Sequence, residues 1–95
     1  MDAKEFMQLH ADNAVAGKMA EVMKDLTPES MAQASVVMAG GPNPAESNTV
    51  VSRGQEGEDH VFDVTYTGQD KSVSAREWVR NVDGTFKIVK MEKPA

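Results

Sequence analysis

The stretch HVFDVTYT, His60–Thr67, alternates apolar and polar side chains from Phe62 onward. Phe62, Val64 and Tyr66 fall on one side of it, and Asp63 and Thr65 on the other. A period of two belongs to a β-strand with one buried face. Similar runs lie on both sides. Thr49–Arg53 precedes it, across the polar turn Gly54–Asp59. Ser72–Arg80 follows it, across Gly68-Gln69-Asp70, and Thr85–Glu92 comes last, after Val82-Asp83-Gly84. Asp-Gly between two such runs is a strong hairpin signal, because glycine accepts a positive φ at no steric cost. Four consecutive runs joined by short turns predict an antiparallel meander.

The register follows from gathering apolar side chains on one face. Phe62, Val64 and Tyr66 are expected beside Val73, Ala75 and Val79, and beside Phe86 and Ile88. This arrangement uses a two-residue turn at Gln69-Asp70 and a four-residue loop at Asn81–Gly84. It sets Asp63 opposite Arg76 on the outer face as a cross-strand ion pair. A one-residue slip at the last hairpin would invert β-strand four and bring Trp78 beside Ile88 and Phe86.

Upstream of Asn48 the period lengthens. Residues 2–25 read as helix in two pieces, with Phe6 and Leu9 as a short apolar stripe. Asp12 is the expected cap of the second piece, whose inward face carries Val15, Met19, Val22, Met23 and Leu26. Gly17 is a weak point, costing a helix about 1 kcal/mol. In Thr27-Pro28-Glu29-Ser30, a capping threonine precedes a proline suited to the first helical position and a glutamate suited to the helix dipole. The helix it starts is expected to reach Met38, with Met31, Ala34 and Met38 inward. Gly40-Gly41-Pro42-Asn43-Pro44 ends it. The expected architecture is a single α+β domain over residues 1–95: a helical half (1–39), a loop (40–47) and a strand meander (48–95), with the helices on one face of a curved four-stranded antiparallel sheet.

Composition narrows the functions. The 95 residues carry 15 acids against 10 Lys and Arg, a net charge of -5. Residues 1–47 hold seven of the acids and three of the bases, so the bias sits in the helical half. An acidic chain argues against nucleic-acid binding, which draws on excess positive charge. No cysteine is present, which excludes disulfides and thiolate ligands. No apolar stretch approaches the roughly 20 residues of a membrane span. A cytoplasmic protein, and an exported domain whose signal was removed, both fit the Met1 end.

From Leu26–Ser30 (LTPES) to Arg76–Pro94 (REWVRNVDGTFKIVKMEKP), the order of elements resembles the cystatin-like fold of the nuclear-transport-factor-two-like and ketosteroid-isomerase-like superfamily. Within it, the likeness is greatest to small bacterial domains of unknown function, many of them exported or lipoprotein-attached. Their last hairpin carries an Asp-Gly, an aromatic residue, Lys and Ile, matched here by Asp83, Gly84, Phe86, Lys87 and Ile88. The resemblance implies a curved sheet around a helix, a cavity between them in many members, and dimers through the sheet. It implies no single activity, since enzymes, carriers and assembly domains share the fold. The chain is near the minimum length for that fold.

Motifs for chemistry are sparse. His10 and His60, the only histidines, lack partners at metal-ligand spacing, and Glu56–Asp59 lacks the alternation of a calcium loop. No metal or cofactor is expected. Glu77 is the one catalytic candidate. It falls on the apolar face near Phe62, where burial would raise its pKa towards that of a general base. Tyr66, Glu77 and His60 are the candidate lining of a pocket for a small hydrophobic ligand. Arg76, Trp78 and Arg80 alternate on the outer face, with Val89 and Met91 alongside, and form the candidate surface for a homodimer or a protein partner. Seven methionines are many for this length; they suit an adaptable core or a plastic pocket. The expected function is a noncatalytic binding or assembly domain using the sheet face. The alternatives are a small-molecule carrier with a cavity between helices and sheet, and a small isomerase- or dehydratase-like enzyme.

Overall fold

The computed structural model describes residues 1–95. Three helices, α1 (Ala3–Val15), α2 (Met19–Lys24) and α3 (Pro28–Val37), precede four strands, β1 (Ser47–Glu56), β2 (Asp59–Thr67), β3 (Ser72–Val82) and β4 (Thr85–Glu92). The strands form one antiparallel sheet in chain order. The helices pack on one face of it, giving the α+β arrangement that the change of period predicts.

Asp2 opens α1 through a reciprocal cap with Glu5. Ala3, Phe6, Met7, His10 and Ala11 are buried along one side. Leu9 is exposed, contrary to the expected stripe, because it lies about 200° around the helix from Met7. The break between helices also differs from expectation. It falls at Gly17, with φ +75°, where Lys18 N–H donates to the Asn13 carbonyl and Gly17 N–H to the Ala14 carbonyl. This left-handed stop needs glycine and closes α1. Asp12 caps nothing. Its carboxylate accepts from Gln8 and from Asn48, tying α1 to β1. Met19 and Met23, expected in the core, are about half exposed and line a groove instead.

Thr27 caps α3 as its sequence suggests, accepting from Ser30 N–H at 3.2 Å. Met31 is exposed, while Ala34 and Met38 pack against the core and Ser30 and Val37 are buried. The Ser30 hydroxyl donates to the Ile88 carbonyl at 2.6 Å. Thr27 N–H donates to the same carbonyl, and Ile88 N–H donates to Asp25. Leu26 thereby makes a one-residue parallel bridge to the outside of β4.

β1 is longer than expected. It runs through Gly54–Glu56 with a bulge at Arg53, so only Gly57-Glu58 turns. The β2–β3 register is the expected one, with Asp63 facing Arg76 and Tyr66 facing Val73. The last hairpin is tighter than the four-residue loop expected. Val82 pairs with Thr85 across Asp83-Gly84 alone. Asp83 (φ +53°) and Gly84 (φ +87°) make a turn whose twist matches the strands, and Asn81 Oδ1 accepts from Gly84 N–H. The two-residue change in register keeps each side chain on its face. Phe62, Val64, Tyr66, Ala75, Val79 and Ile88 therefore meet α1 and α3 as one core.

A second irregularity does change faces. Val79 pairs with Ile88 and Trp78 with Lys90, so Val89 is a bulge residue with no partner. Beyond it the alternation of β4 is reversed. Met91, expected on the outer face beside Trp78, is buried on the helix face.

Candidate functional site

A half-open groove of about 610 Å³ lies between α1, α2, α3, the loop after α3 and the sheet. Val15, Met19, Val22, Met23, Leu26, Ala34 and Met38 line its helical side, and Val73, Tyr66, Glu77 and Met91 its sheet side. The loop Gly40–Ala45 forms a wall. That wall rests on the β2–β3 turn so closely that a Cβ on Gly68 would come within 2.5 Å of Pro42. Volume and lining fall within the usual range for small-molecule pockets, roughly 300–1,000 Å³ and mostly apolar.

Glu77 stands in the middle of β3, opposite Phe62 on β2 and Met91 on β4. It is 1% exposed, and its Oε1 has no hydrogen-bond partner. The bulge decides this environment. Continued regularly from Val79–Ile88, the ladder would set Lys90 opposite Glu77. Val89 bulges out instead, and Lys90 swings to the outer face, its Nζ 4.5 Å from the centre of the Trp78 ring. The inward pairing of Glu77 with Lys90 that a regular strand would allow is thus lost, and a thioether replaces an ammonium. Burial then pushes the Glu77 carboxyl up to about 7, with the nearby His10 ring opposing the rise. The Tyr66 phenol is pushed up as well, by burial first and by the negative charges of Glu77 and Asp12 second.

His10 is the polar group of this groove that the sequence reading left out. It is buried on α1, stacked 6.5 Å from Phe6, with Nδ1 2.8 Å from Asp25 Oδ2. Its spacing from Phe6 and Met7, four and three residues, is the signal that places it on the buried side. Of the three residues picked for a pocket, Tyr66 and Glu77 come together. His60 does not join them. It sits near the other end of β2, opposite Val79 and Gln55, outside the groove lining.

The outer sheet face is covered by its own charges. Arg76 holds Asp63 through two hydrogen bonds of 2.8 and 3.0 Å, and Arg80 holds Asp59 through two of 2.6 and 3.1 Å. The Arg76 guanidinium beside Asp63 keeps that carboxyl below its ordinary range. Between these pairs Trp78 is 5% exposed, under Lys90 and opposite Val61. No cluster of three acidic, histidine or cysteine side chains suits a metal ion. No helix is long and apolar enough to cross a membrane.

No family model matches this chain, and neither a curated protein nor a solved structure matches it.

Proposed function

We propose that this chain is a noncatalytic binding domain whose groove between helices and sheet holds a small, mostly apolar molecule. The observation that carries this reading is the groove itself, about 610 Å³ with methionine side chains at its mouth and a buried polar floor. Methionine adapts to ligand shape because its unbranched chain has many rotamers and a polarisable sulfur. The likeness of the element order and of the Asp83–Ile88 hairpin to the cystatin-like superfamily supports the same reading, since many of its members hold a cavity there. The sheet face around Trp78, the other candidate surface, offers a partner less, because the indole is already covered and the arginines are already paired.

The test is titration with a neutral fluorescent probe, N-phenyl-1-naphthylamine. Wild-type protein is expected to enhance its emission, and Ala34→Phe, which fills the groove, to abolish the enhancement. No enhancement, or one that survives Ala34→Phe, would reject the reading.

One observation favours a second reading, an isomerase-like enzyme with Glu77 as base. Its carboxyl is held at about 7, which suits proton transfer at neutral pH. Unchanged turnover of a carbonyl substrate by Glu77→Gln would reject that role.

A further inference from the structure

We infer that the ligand of this groove is an amine on an apolar body, bound with its ammonium against Glu77. This rests on the groove being a ligand site and adds the chemical class that it takes. Two independent features point there. The first is the unpartnered Oε1 of a carboxylate that is 1% exposed and lines the groove. A buried acceptor without a donor is costly, and a ligand donor removes the cost. The second is charge. The groove lining contains no Lys and no Arg. Its one basic ring, His10, is already engaged with Asp25. Lys90, the cation that a regular β4 would have supplied, lies on the opposite face.

An ammonium supplies both missing parts, a donor and a positive charge. An alcohol supplies only the donor. A carboxylate or phosphate supplies neither and meets Glu77 as a like charge. The acidic helical half, with seven acids against three bases in residues 1–47, favours cations over anions around it. A lone carboxylate does not make a metal site, which takes several oxygen ligands, so an organic cation is the fitting occupant.

The experiment compares 4-phenylbutylamine, 4-phenylbutanol and 4-phenylbutanoate at pH 7.5, on protein carrying 13C-methyl methionine. Met19, Met23, Met38 and Met91 line the groove and report binding, while Met1 and Met31 serve as controls. The amine is expected to bind at least tenfold more tightly than the alcohol, and the carboxylate more weakly than either. In Glu77→Gln, an isosteric change that keeps the fold, the amine is expected to fall to the affinity of the alcohol. An alcohol as tight as the amine, or an amine preference that survives Glu77→Gln, overturns the assignment while leaving the groove a binding site. If none of the three moves a groove methyl, both readings fall together.

Discussion

Met91 of β4 faces Glu77 of β3 across the ladder, and the lysine one residue earlier points the opposite way. A carboxylate and a thioether are a poor pair. The acid is buried against apolar neighbours and its Oε1 is left without a donor. The pairing exists because Val89 occupies a bulge, so one residue of β4 sets the chemistry of the groove.

The first consequence concerns pH. The Glu77 carboxyl moves from an ordinary 4.5 to about 7 on folding. An acid whose pKa rises on folding favours the folded state below the unfolded value, and that contribution is lost as pH rises through the folded value. The change amounts to about 3 kcal/mol between pH 4.5 and pH 7. His10 on α1 and Tyr66 on β2 face the same groove, with Asp25 behind His10, so the wild-type curve sums several groups. The difference between wild type and Glu77→Gln isolates one. Urea unfolding is expected to show Glu77→Gln gaining on wild type by about 2–3 kcal/mol from pH 4.5 to pH 8. A difference that does not change with pH would contradict the buried, unpaired carboxyl.

A deletion tests the bulge. Removing a residue from a regular strand turns everything beyond it to the other face. Removing Val89 does not, because Ile88 and Lys90 already face opposite ways. The variant lacking Val89 is expected to fold with Met91 still against Glu77, losing about 1–2 kcal/mol through the packing of one valine. Nuclear Overhauser contacts from the Met91 methyl would show this. Contacts from Lys90 to Glu77 in the variant would contradict it.

Ser30 joins α3 to the sheet. Its hydroxyl is buried and donates to the Ile88 carbonyl while its amide is capped by Thr27. Ser30→Ala is expected to cost about 1–3 kcal/mol, read from the denaturant midpoint. A cost under 0.5 kcal/mol, roughly that of a surface change, would mean that the contact adds little.

The lone tryptophan reports on the outer face. Trp78 is covered by Lys90, so its emission is expected at short wavelength with slow quenching by acrylamide. Lys90→Ala is expected to shift the emission to the red and speed the quenching. If both stay unchanged, Lys90 does not shield the indole in solution.

The features legible in the sequence are those written in neighbouring residues. Thr27, Pro28 and Ser30 announce a helix start, and Asp83-Gly84 a hairpin, because cap and turn geometry depend on adjacent dihedrals alone. The pairing of Asp63 with Arg76 follows from alternation together with one short turn. Gly17 was legible as an interruption, though its role as a left-handed stop depends on the carbonyls of Asn13 and Ala14. Val89 carries no such mark. A β-branched residue inside an apolar run looks like ordinary strand, and the bulge shows only in the pairing of Lys90 with Trp78 and Met91 with Glu77. The error over Met91 follows from that. Glu77 and Tyr66 were placed together by alternation within the sheet. For His10, the spacing from Phe6 and Met7 marks the buried side of α1, but its place in the groove depends on how α1 docks, a tertiary relation.

The bridge from Leu26 to Ile88 bears on how copies of this molecule meet. Ile88 has spent its outward N–H on Asp25 and its carbonyl on Thr27 and Ser30, and Gln33 takes the amide of Met91. The middle of the β4 margin is therefore occupied by the chain's own α2–α3 segment, whereas β1 carries no such cover. Two copies joined along β1 would present at each end a β4 margin whose middle is already occupied. Three of the backbone groups that a further strand would need are already spent there, which makes β4 a poor template for edge-to-edge growth.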